Sequence, residues 1–357
     1  MSAAPLKTFN TGTLRHAAEL VEAGLASPDR LAELEQVAAR YAISISPAMA
    51  ALIDPTDTED PIARQFIPSA AELRHLPEES ADPIGDHRHM PVKGVVHRYP
   101  DRVLLKPSHV CPVYCRFCFR REMVGPGGEA LTPHELDAAY AYIRAHAEIF
   151  EVVVTGGDPL MLSPRRLAAM VATLSAIPHL GVIRFHSRVP VVDPERIDAA
   201  LVAALDSDKG LFVVIHANHP RELTDAAAAA LKRLNRAGVA LLSQSMLLKG
   251  VNDDPAVLEA LLRRLVTLRV KPYYLHHGDL APGTAHFRTT IETGQAVVGA
   301  LRGRVSGLCQ PTYMLDLPGG HGKVPIGPNF LRRDEGDDAW LVTDYQGVVH
   351  RYSSFTD

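Results

Sequence analysis

The stretch EVVVTGGDPLMLSP, residues 151–164, joins an apolar run to a candidate helix start. A short apolar run, Val152–Val154, is followed by a polar turn rich in glycine and then by Ser163-Pro164. Serine before proline is a typical helix start, because the serine side chain caps the first turn and proline fits the first helical position. The stretch therefore predicts a β-strand that leads through a turn into an α-helix.

The same pattern recurs along the chain. Five candidate helix starts follow one another at intervals of 31, 30, 31 and 30 residues, namely Thr132-Pro133, Ser163-Pro164, Asp193-Pro194, Thr224 and Asp254-Pro255. A short apolar run precedes each start and another follows the last helix, namely Val103–Leu105, Val152–Val154, Val182–Phe185, Leu211–Ile215, Val239–Leu242 and Tyr273–Leu275. Strands that alternate with helices at this period predict a parallel sheet.

Six such units are too few for a closed eight-stranded barrel. We therefore expect an α/β fold with a partial (β/α)6 barrel over residues 96–300, and an open doubly wound sheet is the alternative. An N-terminal helical segment, residues 1–95, precedes the barrel, and a short extension, residues 301–357, follows it. Because the carboxyl ends of parallel strands share one edge, and the residues after these strands are polar, we expect the functional site at that edge.

The composition limits the classes of partner. The 357 residues include 37 Lys and Arg against 41 Asp and Glu, which gives a formal net charge of -4. This balance favours neither a nucleic-acid partner nor binding to an anionic membrane. The start of the chain, Met1–Phe9, lacks the apolar segment of a secretory signal, and no apolar run approaches the ~20 residues of a membrane span. We therefore expect a cytoplasmic protein.

Three of the four cysteines form a cluster. Cys111, Cys115 and Cys118 have C-x3-C-x2-C spacing directly after the first predicted strand. A zinc site normally has four ligands, and no familiar fourth ligand lies nearby in the sequence. A [4Fe–4S] cluster on three cysteines leaves one iron open for another molecule. A metal-free buried trio, a zinc site and a ferredoxin-type cluster with an outside ligand are the alternatives.

This motif after the first strand of a βα repeat resembles the radical S-adenosylmethionine (SAM) superfamily. The resemblance implies a [4Fe–4S] cluster on Cys111, Cys115 and Cys118, with SAM bound to the open iron. Most of the chain further resembles the lysine 2,3-aminomutases, a family that also uses pyridoxal phosphate and has a branch that serves the modification of elongation factor P. The matching segments are residues 97–102, 115–121, 218–220, 244–245, 250–253, 286–289 and 316–323.

The resemblance implies roles for individual residues around the cofactors. Lys323, in a glycine-rich loop, corresponds to the Schiff-base lysine for pyridoxal phosphate, a role that suits a flexible amine with a tunable pKa. The residues implied at pyridoxal phosphate are Arg98, Tyr99 and Arg102, and those implied at SAM are Gly156, Gly157, Asp158, His216 and Gln244.

The resemblance also implies how a substrate is held. Arg120 corresponds to the residue that grips the carboxylate of the amino acid, while Asp279 and Asp316 correspond to two acids that hold the distal ammonium of lysine. A buried ammonium must be paired, so two carboxylates in register select a long cationic side chain. His276 departs from the family, which has tyrosine there. The C-terminal zinc cysteines of longer members are missing, so we expect no structural zinc and a core role for Cys309.

Taken together, the resemblance implies an isomerase that converts L-lysine into β-lysine. It further implies an electron donor such as flavodoxin or ferredoxin, and it allows a homo-oligomer. Three alternatives stay open: the same chemistry supplying β-lysine for elongation factor P, a 2,3-aminomutase of another amino acid such as arginine or ornithine, and a non-catalytic iron–sulfur or zinc-binding protein.

Overall fold

The computed structural model describes residues 12–125, 130–335 and 339–353. Within these ranges the strands are β1 (Val95–Tyr99), β2 (Arg102–Ser108), β3 (Glu151–Gly156), β4 (Val182–Ser187), β5 (Gly210–His216), β6 (Ala240–Met246), β7 (Lys271–His276), β8 (Thr312–Leu317), β9 (Gly322–Pro325), β10 (Leu331–Arg333), β11 (Ala339–Thr343) and β12 (Val349–Ser353). The α-helices are α1 (Ala17–Glu22), α2 (Leu31–Arg40), α3 (Pro47–Ala50), α4 (Pro61–Phe66), α5 (Pro133–Ala145), α6 (Pro164–Ser175), α7 (Val189–Val192), α8 (Ala199–Ala203), α9 (Asp225–Arg236), α10 (Pro255–Thr267) and α11 (Ile291–Ala300).

Strands β1 to β9 form one sheet in chain order. All neighbouring pairs from β2 to β8 are parallel, whereas β1 and β9 are antiparallel edge strands. The six βα units from β2–α5 to β7–α11 confirm the predicted partial barrel, and β8 adds a seventh parallel strand. Since β8 and β9 begin after residue 300, part of the C-terminal extension belongs to the same sheet.

Side chains join the two edges of this sheet. The hydroxyl oxygen of Tyr99 on β1 accepts a hydrogen bond from the backbone N–H of Lys323 on β9 at 2.7 Å. Arg98 on β1 donates to Asp316 on β8 at 3.2 Å. The barrel is therefore nearly closed, and polar side chains rather than a ladder of backbone hydrogen bonds cross the remaining gap.

Four of the five predicted helix starts are confirmed. The side chains of Thr132, Ser163, Thr224 and Asp254 each accept a backbone hydrogen bond in the first turn of α5, α6, α9 and α10. These caps satisfy N–H groups that have no partner within the helix.

The prediction of a helix start at Asp193-Pro194 was wrong. A short 3₁₀ turn follows instead, and α8 begins at Ala199, where the Asp198 carboxylate accepts the N–H of Leu201 at 2.8 Å. The reason is that the chain after β4 first forms the buried helix α7, which shifts the cap by five residues.

The N-terminal segment shares the barrel's hydrophobic core. Met49 on α3 and Phe66 on α4 are fully buried together with strand residues such as Val154 and Phe185. Cys309 is buried in the same core, as expected from the sequence. Strands β10 to β12 form a separate antiparallel sheet after the barrel. None of the helices in the described ranges has the length and apolar character needed to cross a membrane.

Candidate functional site

One cavity of about 340 Å³ gathers nearly every residue that the sequence singled out. It lies at the carboxyl ends of the parallel strands, where an α/β fold builds its sites. The predicted residues that line it are Arg98, Tyr99, Arg102, Cys111, Cys115, Cys118, Arg120, Gly157, Asp158, His216, Gln244, Asp279, Asp316 and Lys323. Of the predicted set, Gly156 alone does not line the cavity.

The N-terminal segment holds the cysteine-containing loop between β2 and α5. The backbone N–H of Tyr114 donates to the carbonyl of Ser44 at 2.9 Å, and that of Arg116 donates to the carbonyl of Gln65 at 2.9 Å. The buried Arg116 guanidinium also binds Glu72, at 2.6 Å between Nη2 and Oε2. These contacts explain how a loop without regular structure presents its cysteines from a fixed position.

Two of the three thiols, those of Cys111 and Cys118, lie in an environment of low polarity. Burial raises the pKa of Cys118 to about 11, and burial together with Asp158 raises the pKa of Cys111. Cys111 and Cys118 are therefore protonated without a metal, and a metal that binds them must displace those protons. Among the described residues, no group of three or more His, Cys, Asp and Glu side chains could hold a single metal ion. In an iron–sulfur cube, by contrast, each thiolate binds its own iron.

Gly156 and Gly157 bring the end of β3 against the cysteine loop. Gly156 has φ of 108°, which favours glycine, and a Cβ there would lie 2.8 Å from the carbonyl oxygen of Ser108. The N–H groups of Gly157 and Asp158 donate to the carbonyls of Ser108 and Val110 at 2.7 and 2.8 Å. These two N–H groups are therefore engaged within the protein and hold the loop in place.

The carboxylate of Asp158 organises the end of β4. It accepts hydrogen bonds from the Ser187 hydroxyl and from the backbone N–H of Arg188, each at 2.7 Å. Arg188 in turn donates to the sulfur of Cys115 at 2.7 Å and to Glu222 at 2.6 Å. Arg188 was visible in the sequence only as one of several polar residues after a strand, and Glu222 gave no signal.

His216 on β5 and Gln244 on β6 are register partners on neighbouring parallel strands. His216 Nε2 donates to the Asn218 side-chain oxygen at 3.1 Å, and burial lowers the pKa of His216 to about 3, so the ring is neutral. Gln244 lies where the register between β6 and β7 shifts, and such an irregularity re-aims a side chain. Both residues line the cavity.

The other end of the cavity contains Lys323 and two acids. The Lys323 ammonium binds the Asp316 carboxylate, which lies on the neighbouring strand β8. Burial lowers the pKa of Lys323 to about 8 and raises the pKa of Asp279 to about 6. A lysine with this pKa exposes a substantial fraction of neutral amine near physiological pH.

Arg98, Tyr99 and Arg102 line the same end from β1 and β2. Arg98 binds Asp316 and Asp86, and Tyr99 accepts the hydrogen bond from the Lys323 backbone. The Arg102 guanidinium lies over the Tyr99 ring, 3.9 Å from its centroid. Together they form a positively charged wall beside the Lys323 amine.

Arg120 is held by a carboxylate that the sequence did not reveal. Asp86 accepts from Arg120 Nη2 at 3.0 Å and from the buried Lys106 at 3.3 Å. Burial alone raises the pKa of Asp86, but Arg120 and Lys106 outweigh it and hold the pKa at about 2. Asp86 precedes a 3₁₀ turn in an irregular segment, so no strand or helix pattern pointed to it.

Comparison with known proteins agrees with this geometry. Residues 105–261 match the radical SAM superfamily, and residues 298–356 match the lysine-2,3-aminomutase family. The L-lysine 2,3-aminomutase of Clostridium subterminale is 40% identical over 311 residues, 87% of this chain and 74% of that protein. The chain belongs to the lysine 2,3-aminomutase family. That family consists of isomerases of the radical SAM superfamily, as the sequence predicted.

Two further relatives show the range of substrates in their names. The L-lysine 2,3-aminomutase of Acetoanaerobium sticklandii is 39% identical over 87% of this chain and 75% of that protein. The glutamate 2,3-aminomutase of Clostridioides difficile is 35% identical over 88% of this chain and 74% of that protein. Membership of the family therefore leaves the amino acid to be decided by the residues in the cavity.

Membership of the superfamily implies a [4Fe–4S] cluster and SAM, and the cavity has features that fit polar ligands. Within the described ranges, three buried nitrogens of lining residues have neither a hydrogen bond nor an ion pair: Arg98 Nε, Arg188 Nε and His186 Nε2. A fourth, Arg184 Nε, is paired with Glu151 at 2.8 Å. Buried polar groups are normally paired, so unpaired ones beside a cavity indicate a ligand. The three thiols and the Lys323 amine supply the covalent donors.

Proposed function

We propose that this enzyme converts L-lysine into β-lysine with a [4Fe–4S] cluster, SAM and pyridoxal phosphate. One observation carries the proposal: a single cavity contains three thiols, an amine of lowered pKa, an arginine and two carboxylates. Each group matches one requirement of the reaction, namely cluster, cofactor, substrate carboxylate and substrate ammonium.

The cofactor ligands follow from the chemistry of the donors. Cys111, Cys115 and Cys118 hold the cluster, and Lys323 holds pyridoxal phosphate. When bound, the cluster and SAM supply a 5′-deoxyadenosyl radical, and pyridoxal phosphate activates the amino group that migrates. Arg98 and Arg102 provide guanidinium donors for the phosphate, because a guanidinium presents a fixed fork to an anion.

The residues for SAM include His216 and Gln244 together with the turn at Gly156, Gly157 and Asp158. The turn acts through its packing, since its N–H groups hold the cysteine loop. His216 stays neutral through burial and can donate or accept a hydrogen bond without adding charge. Apolar residues such as Phe117, Met246 and Met314 also line the cavity, and they exclude water from a reactive radical.

The charges discriminate among amino acids. Arg120 binds the substrate carboxylate, and Asp279 and Asp316 bind the distal ammonium. In this structure the Lys323 ammonium forms an ion pair with the Asp316 carboxylate. Lys323 would no longer bring an ammonium to Asp316 if it held the cofactor, and this carboxylate would then be available to another cation. A substrate with a distal carboxylate, such as glutamate, would place a third negative group beside the two acids, which is unfavourable in a buried site.

An anaerobic incubation tests the proposal. The reconstituted enzyme is mixed with dithionite, SAM and pyridoxal phosphate and with lysine, arginine, ornithine or glutamate in turn, and the products are resolved on a chiral column. We expect β-lysine from lysine alone. Turnover of another amino acid in preference to lysine would contradict the assignment of Asp279 and Asp316, and absence of a SAM-responsive cluster would contradict the radical mechanism.

The destination of the product is a separate question that the same preparation addresses. Release of free β-lysine into solution supports an enzyme of amino-acid metabolism, whereas consumption by a ligase acting on elongation factor P supports the alternative role. In either role the cluster needs an external one-electron donor, for which a cytoplasmic flavodoxin or ferredoxin is suitable.

A further inference from the structure

Arg188 contacts one of the three clustered cysteines. It follows directly after β4, and its side chain is buried. Nη1 donates to the sulfur of Cys115 at 2.7 Å. Nη2 donates to Glu222 at 2.6 Å and to the side-chain oxygen of Gln65 at 2.7 Å. A single guanidinium thus links a thiol to a buried carboxylate.

The position of this guanidinium is fixed on several sides. The backbone N–H of Arg188 is held by Asp158 at 2.7 Å. The guanidinium lies over the rings of Phe66 and Phe117, at 4.8 and 5.4 Å from their centroids. Because a long side chain loses rotamer freedom only where contacts constrain it, this environment defines one geometry for the hydrogen bond to sulfur.

Glu222 is fixed equally well. Its Oε1 accepts the N–H groups of Asn218 and His219 at 2.9 and 2.8 Å and the side-chain amide of Gln65 at 3.0 Å. Glu222 as a whole is fully buried. The negative charge of Glu222 therefore lies at a constant place behind Arg188 and opposes the positive charge that Arg188 presents to Cys115.

A hydrogen bond to a cluster sulfur changes the reduction potential. Reduction adds negative charge to the cluster, and a donor or cation at a ligating sulfur stabilises that charge. The effect is large in a buried environment, where charges are poorly screened. Arg188 should favour the reduced cluster, and Glu222 should favour the oxidised one.

We propose that Arg188 is a positioning residue that sets the orientation of Cys115 and raises the reduction potential of the cluster, with Glu222 as the opposing charge. The inference rests on the cluster ligands of the proposed function. On this inference, Arg188 after β4 and Glu222 after β5 together determine how easily the external donor reduces the cluster.

Redox titration of the reconstituted holoenzyme tests this. The fraction of reduced cluster is followed by its electron paramagnetic resonance signal at controlled potentials, normalised to iron per chain. For Arg188→Gln we expect the equilibrium of one-electron reduction to shift at least tenfold towards the oxidised form, which corresponds to ~59 mV. For Glu222→Gln, which preserves shape and hydrogen bonding, we expect a shift in the opposite direction.

The matched control is Arg233→Gln. Arg233, on helix α9, directs its guanidinium to the carbonyls of Ile197 and Pro194 and not to a cysteine, so its removal should leave the potential unchanged. An unchanged potential in Arg188→Gln, or shifts of the same sign in both test variants, would overturn the inference. If Arg188→Gln binds no iron, the test depends on Glu222→Gln. An unchanged reduction potential in Glu222→Gln would then overturn the inference.

The titration also separates this inference from the proposed function. If the wild-type chain binds no iron after reconstitution, the assignment of the three cysteines is wrong. If wild-type and variant proteins bind equal iron and titrate at the same potential, the cysteines are ligands and the role of Arg188 is wrong.

Discussion

The two ends of the cavity are constructed differently. At the cysteine end, polar groups are tied to the backbone and to buried residues of neighbouring βα loops, as Asp158 is tied to Ser187 and Arg188. At the opposite end, charged side chains bind one another: Lys323 binds Asp316 on the neighbouring strand, and Arg98 reaches the same carboxylate from the other edge of the sheet.

This difference fits what each end must do. A cluster must keep one geometry while its charge changes by one electron, so fixed donors attached to the scaffold suit it. A substrate site must release and reform its ion pairs in each turnover, so side chains that pair with each other can exchange a partner for a ligand at little net change in charge. The cysteine end is therefore a fixed frame, and the Lys323 end is a set of exchangeable pairs.

The largest expected effect is a separation of the two ends. Cys115→Ser should abolish iron binding and leave capture of pyridoxal phosphate intact, because Lys323 and its neighbours are untouched. Lys323→Ala should abolish cofactor capture and leave iron binding intact. Both variants should lose all aminomutase activity. The measurements are iron per chain and, after borohydride reduction, the mass of a pyridoxyl adduct on the Lys323 peptide.

Two control variants accompany this test. Cys309→Ser alters the buried cysteine outside the cavity, and Lys271→Ala alters a lysine that binds backbone carbonyls at the other end of β7. Both controls should keep iron and cofactor. Loss of both ligands in either test variant would mean that the two ends form one cooperative unit, contrary to the comparison.

The same contrast explains what the sequence could reveal. Strands β2 to β7 and the caps of α5, α6, α9 and α10 were predictable, because their signals are local: an apolar run and a side chain before the first turn. The cysteine spacing and the Lys323 loop were recognisable for the same reason. Asp193 misled because α7, a helix held by tertiary contacts, intervenes before the real cap at Asp198.

The partners of the charged residues were not predictable. Asp86 lies in an irregular segment 34 residues before Arg120, and Glu222 lies 34 residues after Arg188. Neither position carries a periodic pattern, and these pairs come together only in the folded chain. Ion pairs between distant loops depend on the whole topology, and a single sequence contains no local signal for them.

A smaller effect is expected from one of the exchangeable acids. Asp279→Asn removes a carboxylate from the predicted ammonium site without removing the partner of Arg98. Loss of one side of a buried charge pair typically amounts to about 2 kcal/mol or more, so kcat/KM for lysine should fall at least ~30-fold. The loss should lie mainly in KM, since the ammonium is remote from the reacting carbons.

Substrate comparison sharpens this test. Norleucine lacks the distal ammonium, so the wild-type enzyme should discriminate strongly against it and Asp279→Asn should discriminate less. Asp137→Asn, on the exposed face of α5, is the matched control and should behave as wild type. An unchanged preference for lysine over norleucine in Asp279→Asn would show that Asp279 does not read the ammonium.

The smallest effect concerns the pH dependence of cofactor capture. Burial lowers the pKa of Lys323 to about 8, and Asp279 opposes this shift. Only the neutral amine attacks an aldehyde, so the capture rate should rise about tenfold per pH unit below pH 8 and level off above it. Since removal of the Asp279 carboxylate removes an influence that raises the pKa, Asp279→Asn should move the midpoint to lower pH.

The measurement is the rate of change of pyridoxal phosphate absorbance from about pH 6 to about pH 10. A midpoint near 10, the value of an exposed lysine, would mean that Lys323 is solvated, and the Lys323 end could then not be the dry set of exchangeable pairs inferred from its geometry.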